Sequence, residues 1–144
     1  MSEKIKKIIK KWKKLIDSKL RNFLSINKSK MPKELYKAMN YAVFPGGKRI
    51  RPILAMASAY ACGLSVKKII STACAIELIH SYSLVHDDLP SMDNDDFRRN
   101  KPTVWAKFGK SIAECIGLDY AAAIFQAVNK SKYSLEISEI LAQT

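Results

Sequence analysis

Five carboxylates fall within ten residues of this chain: Asp87, Asp88, Asp93, Asp95 and Asp96. An apolar helical pattern (Ile76, Ile79, Leu84, Val85) leads into them. Pro90 removes a backbone donor and disfavours helix at the residue before it, so the helix must end or kink at the aspartates. A helix C-terminus carries negative partial charge, which makes gathered carboxylates unfavourable there unless a cation neutralises them. Mg²⁺ suits the position: it takes oxygen ligands, keeps several waters, and is held by one or two carboxylates together with substrate phosphates. Arg98, Arg99 and Lys101 follow at once, with donors suited to phosphate oxygens. The chemistry these types and spacings imply is metal-bridged binding of a diphosphate.

A second cluster, Gly46-Gly47-Lys48-Arg49-Ile50-Arg51-Pro52, pairs a tight turn with three cations. The glycines let a backbone approach a ligand closely, and Lys48, Arg49 and Arg51 stand beside that approach. Helical spacing places His80 two turns before Asp87 and Glu77 one turn further back, a polar row on an otherwise apolar helix.

With Asp87-Asp88-x₄-Asp93, the GGKRIRP stretch closely resembles the polyprenyl synthetase family of trans-prenyltransferases, and within it the bacterial members that form farnesyl diphosphate. The likeness spans about residues 34–109. It implies an all-α helical bundle, here the N-terminal half of the isoprenoid synthase fold, and head-to-tail condensation of isopentenyl diphosphate with an allylic diphosphate (dimethylallyl or geranyl). By resemblance, Asp87 and Asp93 are Mg²⁺ ligands with Asp88 as a supporting carboxylate. Lys48, Arg51, His80 and Arg99 match the residues that hold isopentenyl diphosphate without a metal, and Arg98 matches a contact to the allylic diphosphate. Asp95 and Asp96 match the family sequence as loop electrostatics rather than ligands. Tyr82, five residues before Asp87, lies one and a half turns deeper on the helix and corresponds to an aromatic floor that limits product length. Ser83 is too small for that role. Asn100 stands where a glycine is common, and Lys110 and Gly117-Leu118-Asp119 also depart from the family pattern.

The elements that must position these groups are legible from periodicity. Residues 1–30 read as a basic amphipathic helix, with Ile5, Ile8, Ile9, Trp12, Leu15, Ile16, Leu20, Phe23 and Leu24 on one face and lysines mostly opposite. Such a helix can pack with a solvated lysine face, or lie on an anionic membrane. Residues 25–33 are a polar connection. Leu35, Ala38, Met39, Ala42 and Val43 form the next stripe, which Pro45 and the glycines stop. Pro52 is expected to open a helix carrying Ile53, Leu54, Met56, Ala57 and Tyr60, with Gly63 as its stop. Helix then runs from about Val66 to the aspartates. Helical patterns continue through Val104 to Ile116, Tyr120 to Val128 and Leu135 to Leu141, and no period-two strand pattern exists.

The net charge of +12 is concentrated at one end: residues 1–37 hold 13 Lys or Arg against 3 acids. No finger or helix-turn-helix motif supports a nucleic-acid partner beyond that charge. Three cysteines, Cys62, Cys74 and Cys115, have neither zinc spacing nor an even count, so reduced thiols and a cytoplasmic location are expected. The lack of a run of about 18 apolar residues gives no membrane-spanning or secretory segment.

No second aspartate-rich motif follows Asp96, and family members are roughly double this length. The resemblance therefore implies an incomplete prenyltransferase domain, inactive or weakly active alone, working as a homodimer or with a complementing C-terminal half. Two other readings stand beside it. Class I terpene cyclases also use an aspartate-rich helix end, but have no use for a second diphosphate site like GGKRIRP. A non-catalytic helical partner, regulatory subunit or basic surface-binding module is the other.

Overall fold

The structure, a computed structural model, describes residues 2–26, 28–44 and 46–143, with Leu118 described by its backbone alone. Asn27 of the expected connection and Pro45, the expected helix stop, lie outside the described residues. The architecture is an all-α bundle of α1 (Glu3–Ser25), α2 (Lys33–Val43), α3 (Ile50–Ala61), α4 (Val66–Asp87), α5 (Val104–Phe108), α6 (Lys110–Val128) and α7 (Ser134–Ala142). α1 stops at Ser25, short of residue 30, and a 3₁₀ turn at Lys28–Lys30 follows it.

α4 is the axis of the bundle. It is flanked by α3 and α6 and touched by α1 and α2, which is why it reads as apolar nearly all round. Ile70, Ala73, Cys74, Ala75, Leu78 and Val85 are buried along it, meeting Ile16, Leu20 and Phe23 of α1, Met39 of α2, Met56 of α3, and Ile116 and Tyr120 of α6 in one core. Burial of the Tyr120 ring brings its hydroxyl to donate to the Met39 carbonyl at 2.8 Å, tying α6 to α2. Although charged residues interrupt both, α4 and α6 reach the length and mean hydropathy of a membrane-crossing helix. α4 spends those residues on the core.

Other boundaries follow local chemistry. α3 begins two residues before Pro52, which is tolerated as the third helical residue because first-turn N–H groups lack intrahelical partners. Its buried face is Pro52, Met56 and Ala59, while Leu54 and Tyr60 of the expected stripe are exposed. Gly63, at φ +79°, ends it: Gly63 N–H donates to Tyr60 and Leu64 N–H to Ala59, the paired bonds of a Schellman cap. α4 ends at Asp87, directly ahead of Pro90, as its sequence requires. One element was not expected: a two-residue antiparallel ladder of β1 (Phe97–Arg98) and β2 (Lys101–Pro102). Its central turn residues, Arg99 and Asn100, both have positive φ (52° and 61°), the requirement of a tight hairpin turn. Asn tolerates that conformation better than most side chains, so the missing glycine at position 100 is absorbed by the turn.

The interaction that ties the N-terminal helices together is ionic. Arg49, only 3% exposed, donates from Nε to Asp17 Oδ1 (2.9 Å), from Nη1 to Glu77 Oε1 (2.7 Å) and from Nη2 to the Val43 carbonyl (2.9 Å). One guanidinium thus joins α1, α4 and the end of α2. A Cβ on Gly46 would lie 1.9 Å from this guanidinium, so glycine is required there by packing. Removing one partner of a buried pair leaves an uncompensated charge, at a cost of about 3–5 kcal/mol. Arg49→Ala is therefore expected to lower unfolding free energy by about that amount in urea titrations, with part of the loss restored by adding Glu77→Gln. A loss within the range of a surface substitution would show that the network does not hold the bundle.

Candidate diphosphate site

Three segments far apart in sequence converge at the C-terminal end of α4: the Gly46-Gly47-Lys48 loop, α4 itself, and the hairpin turn at Arg99. They line a cleft of about 420 Å³ that includes Gly47, Lys48, Arg51, His80, Leu84 and Arg99. Arg99 reaches back over the loop so closely that its Nη1 lies 2.9 Å from where a Cβ on Gly47 would stand. Close approach at Gly47 is thus a fact of the packing, although the group that comes close is a side chain of the same protein. An adjoining cleft of about 250 Å³ shares Gly46, Gly47, Ser81, Leu84 and Arg99 and adds Tyr41, Asp88, Arg98, Lys101 and Thr103.

The four predicted isopentenyl diphosphate residues, Lys48, Arg51, His80 and Arg99, therefore share one cleft, and Arg98 lines the next. Among the described residues, Lys48, Arg51 and Arg99 form no ion pair with a carboxylate. Arg51 donates from Nη1 toward His80 Nε2 at 3.3 Å, which requires Nε2 to be the unprotonated nitrogen. Partial burial holds the imidazole below its ordinary pKa. The neighbouring Arg51, and beyond it Arg99 and Arg98, act in the same direction, while Glu77 opposes them.

The carboxylates divide. Asp93 N–H donates to the Asp87 carbonyl at 2.9 Å, folding the loop so that the first and last members of the motif lie across one turn. The turn is completed by Met92 and Asn94 N–H groups, both donating to the Leu89 carbonyl. Asp88 is engaged differently from these two. It is buried, and its Oδ1 accepts from Arg98 Nε (2.7 Å) and Nη2 (2.6 Å), so it anchors Arg98. Among the described residues no group of three or more His, Cys, Asp or Glu forms a ready cation site. Among the described residues Asp87 and Asp93 are two carboxylates outside any ion pair, and that hard oxygen donor set fits an Mg²⁺ whose remaining ligands are water and phosphate oxygens. Asp95 and Asp96 tie the loop through their backbones, and the Asp95 carboxylate also acts electrostatically on Arg98. The Asp95 carbonyl accepts the Trp105 indole N–H (2.9 Å), and the Asp96 carbonyl accepts Thr103 N–H (2.9 Å).

Tyr82 lines neither cleft. Its ring lies against the α6 backbone, where a Cβ on Gly117 would meet Tyr82 Cε2 at 2.8 Å, and it is tilted against the His86 ring with centroids 5.9 Å apart. Sequence reasoning missed the roles of Arg49, Glu77 and Asp17. Arg49 read as one of three cations beside a ligand and Glu77 as part of a polar row. The signal available was a buried-pattern helix carrying one carboxylate one turn before His80.

The model of the polyprenyl synthetase family matches residues 32–144, extending the likeness past residue 109 to the end of the chain. The farnesyl diphosphate synthase of Bacillus subtilis is 41% identical over 138 residues, which are 96% of this chain and 46% of that protein. The large subunit 1 of a heterodimeric geranylgeranyl pyrophosphate synthase of Arabidopsis thaliana, a chloroplastic protein, is 46% identical over 86 residues (60% of this chain, 23% of that one). Among solved structures, the geranylgeranyl pyrophosphate synthetase of the archaeon Geoglobus acetivorans superposes with a TM-score of 0.81 at 35% identity, covering 94% of this chain and 43% of its own. The chain belongs to the polyprenyl synthetase family and spans less than half the length of these relatives.

The His80 environment sets a pH dependence. A histidine whose folded pKa lies below its unfolded value binds protons more readily once unfolded, so it contributes a loss of stability as pH falls below about 6.5. An anion in the cleft offsets the surrounding arginines and raises the pKa. Proton NMR titration is expected to place the His80 midpoint below that of a free histidine, moving upward on addition of pyrophosphate. A midpoint at the ordinary value that ignores pyrophosphate would mean that the cleft does not take the anion.

Proposed function

We propose that this chain is the N-terminal half of a prenyltransferase that condenses isopentenyl diphosphate with an allylic diphosphate, dimethylallyl or geranyl. The single observation that carries the reading is the convergence of Lys48, Arg51, His80 and Arg99 on one cleft whose carboxylate, Glu77, is engaged by Arg49, so that among the described residues none of the three cations is ion-paired. Three cations and a neutral imidazole donor form a site for a polyanion, and family membership supports diphosphate as that polyanion. In this cleft Lys48, Arg51 and Arg99 hold the diphosphate of isopentenyl diphosphate by charge, leaving its double bond free to attack. Arg98, kept in place by Asp88, reaches the allylic diphosphate from the adjoining cleft. Asp87 and Asp93 would hold Mg²⁺, which when bound neutralises charge on the departing diphosphate. The new carbon–carbon bond forms as the allylic carbon–oxygen bond breaks, and the proton lost in restoring the double bond leaves with the diphosphate.

Two finer readings rest on particular residues. Tyr82, fixed against the Gly117 backbone, acts as a floor that favours a farnesyl product; both farnesyl and geranylgeranyl synthases are among the relatives, so family membership alone does not choose. The uncovered apolar side chains Phe125, Tyr133, Leu135 and Ile140 on and around α6 and α7 support a partner, either a second copy or a complementing C-terminal half. The three thiols are free, in keeping with a cytoplasmic location.

With isopentenyl diphosphate, geranyl diphosphate and Mg²⁺, the 144-residue chain alone is expected to give little or no turnover, and a separately supplied C-terminal half to restore it. In the reconstituted enzyme, Lys48→Ala should raise the KM for isopentenyl diphosphate more than that for the allylic substrate. Equal damage toward both substrates would overturn the assignment of the cleft.

A further inference from the structure

α1 is only partly covered by the bundle. Its C-terminal half buries Ile16, Leu20, Phe23 and Leu24, whereas Ile5 and Ile8, at helical spacing on the same apolar side, are 48% and 39% exposed. Two contacts fix its direction. Asp17 meets Arg49, beside the diphosphate cleft, while the Trp12 ring packs edge-on against Tyr60 at 6.5 Å, near the C-terminal end of α3. α3 and α4 run antiparallel, Arg51 at the start of α3 meeting His80 late in α4. Tyr60 and Leu64 therefore lie at the end of the bundle opposite the aspartates, and the residues before Trp12 project past that end.

This end combines two properties. Ile5, Ile8, Tyr60 (68% exposed) and Leu64 (44% exposed) form its uncovered apolar groups, with Trp12 partly exposed among them. Seven lysines lie between Lys4 and Lys14, and Lys67 and Lys68 sit exposed at the start of α4. Against them stands one acid before Asp17, Glu3, which is paired with Lys6. Asp17 itself is spent on Arg49.

We propose that this end of the molecule docks on an anionic lipid bilayer, with Ile5, Ile8 and Trp12 entering the acyl boundary and the lysines meeting the headgroups. Charge complementarity selects the occupant. A row of hydrocarbon side chains edged by exposed lysines, of which only Lys6 is ion-paired among the described residues, matches a surface where acyl chains lie just beneath anionic headgroups, and amphipathic helices of this composition bind there. Nucleic acid offers the phosphates without the hydrocarbon, so the apolar groups would gain nothing from it. The docked end is the one remote from the cation cleft, so lipid binding and diphosphate binding use separate residues and are measured separately.

Vesicle flotation of the intact chain tests this. Vesicles of equal phosphatidylglycerol and phosphatidylcholine should carry the protein, vesicles of phosphatidylcholine alone should not, and binding should weaken steeply with salt. Ile5→Asp with Ile8→Asp should lower the partition coefficient by about tenfold, as should Lys7, Lys10, Lys11 and Lys14→Gln together. Both sets change exposed residues, and circular dichroism checks that helix content is kept. Absence of binding to anionic vesicles at low salt would overturn the proposal. So would unchanged binding by the Ile5/Ile8 variant, which would mark a charge-only attraction that any polyanion could share. Burial of Ile5 and Ile8 in a dimer of the chain, seen by sedimentation and lost in that variant while vesicles fail to bind, would assign the face to a second copy.

Discussion

The buried guanidinium of Arg49 is the constraint on which the site depends. It occupies a left-handed backbone conformation (φ +56°) that costs a non-glycine residue about 1–2 kcal/mol. Breaking its pairing would cost more, about 3–5 kcal/mol, so the ionic contacts hold the strained backbone in place. Because Arg49 turns inward at that strained residue, its neighbours Lys48 and Ile50 are left exposed, and α3 starts at once with Arg51 aimed at His80. Phe44 lies beside the same group, with the Arg21 and Arg49 guanidinium carbons 4.1 and 5.6 Å from its ring centroid. The exposed cations of the cleft are thus placed by a buried one in its wall.

The other rim of the cleft obeys the same logic. Arg99 occupies a second strained position, in the hairpin turn, and its side chain folds back over Gly47. Asp88 fixes Arg98, and Trp105 and Thr103 fix the backbone between the aspartates and the hairpin through the Asp95 and Asp96 carbonyls. Carboxylates within a single acidic run therefore do different work: Asp88 pairs with Arg98, while among the described residues Asp87 and Asp93 stay outside any ion pair. The result is a cleft whose Lys48, Arg51 and Arg99 are, among the described residues, in no ion pair, an arrangement suited to a polyanion.

Much of this was legible in the residues. The resemblance implied the all-α class, helical periodicity gave the stripe of α2, Pro90 marked the end of α4, and Gly63 marked the end of α3. The motifs located both halves of the cleft. What could not be read was the sorting of like residues by burial. Nothing local separates Arg49 from Lys48 and Arg51, or Asp88 from Asp87, because the difference lies in partners 28 and 10 residues away in sequence, Glu77 and Arg98. The β1–β2 hairpin escaped because two-residue strands carry no periodicity, and its signal was only the Arg99-Asn100 turn. The exposed face of α3 was misassigned because Leu54 and Tyr60 fit a stripe that the packing leaves uncovered.

The central claim is that side chains alone, without a metal, hold one diphosphate in the cleft of Lys48, Arg51, His80 and Arg99. Calorimetric titration of the chain with isopentenyl diphosphate in the presence of EDTA tests it most directly. The account predicts saturable one-to-one binding that weakens with added salt and persists when Asp87 and Asp93 are replaced by Asn. Binding that appears only with Mg²⁺, or that disappears in the Asp87→Asn, Asp93→Asn chain, would contradict it.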